Sequence, residues 1–298
     1  MDNRSEVREF LTSRRARITP QQAGLPAHGG HRRVKGLRRE EVAMLAGVSA
    51  EYYARMERGS LSGTSEAVLD SLARALQLDE SERAHLMDLA RTAGTTRPPV
   101  RRRAAQPVRP ALQQLLDAMT DAPAFIRNGR LDILAANPLG KALYWPVFQD
   151  PARPVNLARF QFLNPHAADY MPEVQAQRAT AAALLRTEAG RDPYSRELSD
   201  LIGELSTRSE DFRTLWAAHD VRLHHTGLKR FRHPAVGDLT LAFEALPIPT
   251  DPGLTLTALS AETGTPAQDA LTLLAAWYTT LDHGEREIPA PHASEQHS

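Results

Sequence analysis

The sequence contains no cysteine, no long apolar run and few aromatic residues, which make up 6% of it. Without cysteine there are no disulfides, no thiolate-bound zinc or iron and no cysteine nucleophile, so any metal would fall to carboxylates and the 11 histidines. A bilayer-spanning helix takes about 20 consecutive apolar residues, and nothing in the chain approaches that. The opening MDNRSEVREF is charged where a secretion signal has an apolar core, which leads us to expect a cytoplasmic protein without membrane contact. The GxSxG, Walker and GxGxxG patterns are also missing. Hydrolases built on a nucleophile elbow and nucleotide-binding enzymes therefore have no support, and we expect no enzymatic activity.

What is present fits about two globular domains: 298 residues, 42% of them hydrophobic. The formal net charge of zero is a cancellation. Residues 1–110 hold 20 Lys and Arg against 13 Asp and Glu, whereas residues 111–298 hold 16 against 23, so the halves carry +7 and −7. A basic segment joined to an acidic one suggests that the first meets a polyanion and the second does something else.

In the basic half, Val7, Leu11 and Ile18 mark one face of a helix from Ser5 to Arg17, stopped by Thr19-Pro20. A Gly-rich loop from Thr19 to Gly36 ends in the basic run His31-Arg32-Arg33-Val34-Lys35-Gly36. Two short helices follow: Arg38 to Ala46, broken at Gly47, and a second that Ser49 caps and Gly59 ends. Val68, Leu69, Leu72, Ala73 and Leu76 place a fourth from Ser65 to Gln77, and Asp79 with Glu82 open a fifth. We expect residues 1–93 to form one five-helix domain.

Two helices joined by a three-residue glycine turn are the helix-turn-helix arrangement, whose second helix enters a major groove about 12 Å wide. The run LRREEVAMLAGVSAEYYARMERG, from Leu37 to Gly59, closely resembles the XRE, or phage-repressor-like, family over roughly residues 5–90. That resemblance implies that Ala50, Glu51 and Arg55 face base edges of double-stranded DNA and that Arg39 and Arg58 hold phosphates. Arg38 and Ser49 share this surface. Arg55 is the natural guanine reader, because a guanidinium bonds O6 and N7 together. Tyr52 is assigned to the DNA side and Tyr53, with Met56, to the core. Glu57, packed inward, would need Arg14 or Arg15 as its partner. Arg32, Arg33 and Lys35 are either phosphate or minor-groove contacts or plain solvated surface.

Residues 94–110 hold four prolines and five arginines without apolar period and read as a linker. Beyond it, strands are expected at Ala124 to Arg127, Leu131 to Ala135, Leu228 to His233, Leu239 to Ala245 and Leu254 to Leu259. Helices are expected at Pro110 to Met119, Pro172 to Thr187, Tyr194 to Ser206, Asp211 to Ala218 and Pro266 to Leu281, with a disordered tail over residues 283–298. The stretches APAFIRNGRLDILAANP from Ala122, FRTLW from Phe212 and FRHPAVGDLTL from Phe231 resemble the MmyB-like branch of the same family. The resemblance implies a PAS-like ligand-binding domain over residues 111–282, an antiparallel sheet carrying several helices, and a long-chain acyl or similarly apolar ligand such as a fatty acid.

Under that comparison Phe125, Phe162, Trp216, Phe231 and Phe243 are the candidates for an apolar pocket. Arg178, Arg127 and Arg222 are the candidates for an acidic head group, and Asn137 reads as a helix cap. His219, His224, His225 and His233 do not follow the spacing of a zinc motif, so no metal and no cofactor beyond the ligand is expected. The overall reading is a ligand-responsive DNA-binding regulator acting as a homodimer. The alternatives for the acidic half are a His/metal-dependent enzyme and a protein-interaction module.

Overall fold

The computed structural model describes residues 3–26, 34, 36–93, 108–218 and 226–286, with side chains placed up to residue 281. Residues 94–107 of the expected 94–110 linker, residues 287–298 of the expected tail, the basic residues Arg32, Arg33 and Lys35, the head-group candidate Arg222, and His219, His224 and His225 lie outside the described residues. None of the described helices is long and apolar enough to cross a membrane.

Among the described residues the regular elements of the basic half are helices: α1 (Asn3–Arg17), α2 (Arg39–Ala46), α3 (Ala50–Glu57), α4 (Glu66–Ala75) and α5 (Glu80–Ala93). Its core gathers Val7, Phe10, Leu11, Val42, Tyr53 and Leu72, the apolar stripes of these helices. α2 ends at Gly47, which takes φ 67 while its N–H and that of Val48 satisfy the last carbonyls of the helix. Gly59, which ends α3, has two reasons to lack a side chain. Its φ is 99, and a Cβ there would stand 2.5 Å from the Arg4 carbonyl oxygen where α1 crosses. Gly59→Ala is expected to cost about 2 kcal/mol or more, read as a lower midpoint in urea, because strain and clash add.

The acidic half is mixed. Helix α6 (Pro110–Asp117) precedes β1 (Ala124–Arg127) and β2 (Ile133–Ala136). Next come four short helices, α7 (Pro138–Leu143), α8 (Trp145–Phe148), α9 (Leu157–Leu163) and α10 (Ala167–Tyr170). The long α11 (Val174–Arg191), α12 (Arg196–Arg208) and α13 (Glu210–Ala217) lead to β3 (Thr226–His233), β4 (Gly237–Pro247), β5 (Thr255–Ser260) and α14 (Pro266–Arg286). The five strands form one antiparallel sheet in the order β2-β1-β5-β4-β3. Alternation sends Phe125, Phe231, Leu241, Phe243 and Leu259 to the face that the helices cover. The other face meets α6 through Leu116, Ile126 and Leu254.

The helices at 138–170 were not anticipated, and α14 runs through Arg286, past the start expected for a disordered tail. Asn137 caps α7 as its position suggests: its Oδ1 accepts from Gly140 and Ala124 N–H while its Nδ2 donates to the Met119 and Ala122 carbonyls.

His233, the one described member of the histidine cluster, is buried and fully used. Its Nε2 donates to the Ala142 carbonyl at 3.0 Å and its Nδ1 accepts from Ala235 N–H at 3.2 Å, so no nitrogen is left for a metal. Burial holds its pKa below the ordinary value near 6.5, against the pull of the Ala142 carbonyl. A base whose folded pKa is depressed binds fewer protons than the unfolded chain, so it favours folding above pH 6.5 and loses that contribution as pH falls. We expect stability to decline between pH 7 and pH 5, and His233→Gln to flatten that slope in urea titrations at each pH.

Candidate DNA-binding helix and ligand cavity

Helix α3 is positioned from both ends and from beneath. Ser49 Oγ accepts from Tyr52 N–H at 3.1 Å, Tyr53 and Met56 enter the core, and Glu57, 2% exposed, anchors the last turn. The Glu57 carboxylate accepts from Arg15 Nε at 2.6 Å and also from Arg39 Nε, which ties α3 to α1 and to the start of α2. The outward side presents Ser49, Glu51, Arg55 and Arg58 to solvent, with Ala50 and Tyr52 half-buried. Arg55 lies over the Tyr52 ring at 4.7 Å, so the ring supports the guanidinium from one side. Arg38 is exposed just before α2, where Glu41 accepts its backbone N–H.

In the acidic half, a cavity of about 50 Å³ lies between the sheet, α9 and α11. Phe125, Phe243 and Leu157 supply apolar wall, and Arg127 and Lys229 supply charge. Lys229 Nζ stands 4.8 Å over the Phe243 ring. Among the described residues no carboxylate comes within ion-pairing distance of Arg127 or Lys229. Burial lowers the pKa of Lys229 to about 8, and Arg127 adds repulsion. Burial also lowers Arg127, to about 10, with Glu188 pulling the other way. Both side chains are half-buried, and Arg127 Nη1 lies 3.4 Å from the Asn128 carbonyl. Gln161 Oε1 and Gln177 Nε2, also in the lining, are buried and have no hydrogen-bond partner among the described residues.

Leu131, another wall residue, has the left-handed φ of 67. A bulky side chain pays for that conformation, and the Asn128 side chain enforces it by accepting from Arg130 and Asp132 N–H.

The sequence model of the MmyB-like transcription regulator ligand binding domain matches residues 108–274, and a helix-turn-helix domain model matches residues 7–86. The chain belongs to the MmyB-like transcription regulators. These are regulator families and not enzyme families, so this regulator joins a DNA-binding head to a ligand-binding domain. No curated protein matches it in sequence.

The geometry of the regulator redistributes the pocket candidates. Phe125 and Phe243 line the cavity, but Phe231 packs between Tyr144 and Tyr170 in the core. Phe162 meets Phe212 edge to face, away from the cavity. Arg178 is spent on the Gln161 carbonyl and on Asp211, which removes it as a head-group cation. Trp216 belongs to the junction between head and sensor, where the Arg186 guanidinium lies 3.9 Å over its ring. Lys229 was not singled out in the sequence, because a lysine inside LKRFRH reads as solvated. Its signal is parity: it shares a strand face with Phe231 and His233.

That junction is built on α11. Arg186, 1% exposed, donates to Glu6 of α1 and to the Trp216 carbonyl. One turn on, Gly190 lies so close to His85 of α5 that a Cβ would stand 2.5 Å from the ring. Two turns back, Gln177, Thr180, Ala181 and Leu184 of the same helix form a wall of the cavity.

Proposed function

We propose that this regulator binds a specific DNA site through α3 and that a small molecule in the cavity changes the binding by acting on α11. The observation that supports the reading is this shared helix. A ligand that displaces the Gln177–Leu184 stretch acts on a rigid rod whose next turns hold Glu6 and His85 of the head. Such a ligand acts only through a difference in affinity between two arrangements of head and sensor. The five-stranded antiparallel sheet with most of its helices on one face supports the PAS-like description of the sensor.

Ala50, Glu51 and Arg55 are the base-reading set in this proposal, with Arg38 and Arg58 on phosphates. Arg39 contributes through Glu57, which holds it against the end of α3. One short helix reads few bases, so we propose a homodimer on half-sites one helical turn, about 34 Å, apart. Leu228 and Leu246, 65% and 50% exposed on the outer sheet face, offer apolar surface for it. The setting is cytoplasmic.

The test is recovery and sequencing of genomic fragments retained by the full chain, followed by mass spectrometry of an organic extract of the same preparation. A shared sequence motif and a stoichiometric small molecule are expected. Retention no better than that of a control protein would sink the DNA reading. Arg55→Ala is expected to cost about 1–3 kcal/mol at the preferred site with nonspecific binding kept. Unchanged preference would remove Arg55 from the base-reading set.

A further inference from the structure

We propose that the cavity between α9, α11 and the sheet takes a compact oxyanion, a small carboxylate or a phosphate, held between Arg127 and Lys229 with Gln177 Nε2 as a third donor. This rests on the reading of the acidic half as a ligand sensor and names the class of ligand.

Charge is the first argument. Arg127 from β1 and Lys229 from β3, on the same sheet face, both line the cavity, and no carboxylate among the described residues forms an ion pair with either. Arg127 has only the distant pull of Glu188, and Lys229 meets repulsion from Arg127, so two half-buried cations lining one cavity are poorly compensated in the empty protein and mark a place where an anion arrives. The Phe243 ring beneath Lys229 offsets part of that cost and cannot neutralise it. The second argument is hydrogen bonding. Gln177 Nε2 is a buried donor and Gln161 Oε1 a buried acceptor, both without a partner among the described residues and both in the lining. Together they suit an oxyanion whose remaining part carries a protic group.

Size is the third argument. A water needs roughly 10–15 Å³ of such space, so 50 Å³ holds about four water-sized groups. Pockets for larger ligands start near about 300 Å³. A cavity of about 50 Å³ favours a compact ligand over a chain of a dozen CH₂ groups. Finally, the site is shaped with care. The β1–β2 ladder skips Leu134 beside Arg127, an irregularity that re-aims side chains, and Leu131 is held left-handed at the same wall.

The experiment follows the thermal midpoint of the full chain at constant ionic strength in sodium propionate, inorganic phosphate, neutral propionamide and sodium dodecanoate. Propionate or phosphate is expected to raise Tm saturably, by roughly 3–5 °C at ten times its Kd, and propionamide to leave it unchanged. Whichever anion acts identifies the source of the oxyanion. Lys229→Met and Arg127→Met are expected to abolish the shift, and Lys229→Met to raise the Tm of the unliganded chain.

The proposal is overturned if neither small anion shifts Tm, if propionamide matches them, if the shift survives both substitutions, or if Lys229→Met lowers Tm. Tighter binding of dodecanoate than of propionate overturns the compact size. DNA retention in the same solutions separates this proposal from the sensor reading. Anion binding without a change in DNA affinity removes the sensor and leaves the site. A change in DNA affinity caused only by a neutral molecule removes the site and leaves the sensor.

Discussion

Arg186→Met is expected to release the DNA-binding head from the sensor while leaving each folded. Arg186 is 1% exposed, stacked on Trp216, and bonded to the Trp216 carbonyl and to Glu6, which is itself buried. Removing one member of a buried pair costs about 3–5 kcal/mol, because the partner charge stays behind in a poorly solvated place. Here the chain has an escape. If the head separates, Glu6 regains water, so the loss cannot exceed the free energy that docks the two parts. We therefore expect one thermal transition to split into two, a larger radius of gyration in solution scattering, and DNA affinity that no longer responds to ligand. An unsplit transition with unchanged ligand response would show that α11 does not carry the coupling.

The same junction has a predictable response to acid. Burial alone would raise the Glu6 pKa, but His85, 3.8 Å away, and the bonded Arg186 bring it from near 4.5 down to about 2. A depressed acid stabilises the state that depresses it. The contribution, about 3 kcal/mol, is complete above pH 4.5 and is lost as pH falls towards 2. Native docking should therefore persist at pH 4, and Glu6→Gln should abolish that acid dependence.

Much of this architecture is legible in the sequence where the determining signals are local. Ser49, Gly47 and Gly59 act on their own neighbours, and the apolar stripe of each head helix repeats within one or two turns. The helix-turn-helix could thus be placed to within a residue or two. The helices between Pro138 and Tyr170 escaped because each spans at most seven residues, too short for a 3.6-residue period to declare itself. Five strands could be found by alternation, but their order, with β5 between β1 and β4, depends on pairings across more than 100 residues.

The site shows the same division between local and distant causes. Phe125 and Phe243 could be named because aromatic strand residues face inward. Phe162, Phe231 and Trp216 satisfy the same rule and pack elsewhere, since bulk alone does not separate a cavity wall from a core. Arg178 looked available because its partner Asp211 lies on another helix 33 positions away. What the sequence did not show of Arg39 is its second partner: Glu57 is 18 positions downstream and comes under it only once α2 and α3 fold together. The pairing of Glu57 with Arg15, by contrast, was accessible from the cost of a packed, solitary carboxylate.

That carboxylate carries the largest effect expected within the head. Glu57→Leu should lower the stability of the helical half by about 3 kcal/mol and DNA affinity with it, read by urea unfolding and by titration onto a preferred fragment. The Glu57 side chain is 2% exposed and joins three elements: Arg15 of α1, Arg39 of α2 and its own helix α3. Leucine fills the space but removes the carboxylate that two guanidinium groups share. Their fates differ. Arg39, 58% exposed, can turn into water at little cost, whereas Arg15, 13% exposed, keeps only the Leu37 carbonyl. Most of the loss should therefore trace to Arg15, and the double substitution Arg15→Met with Glu57→Leu should recover much of the stability, since a buried pair replaced as a whole by apolar groups is often neutral. It should not recover DNA affinity, because Arg39 then has nothing to hold it against the end of α3. Recovery of both together would mean that the reading helix is positioned by packing alone and that the ion cluster is dispensable for orientation.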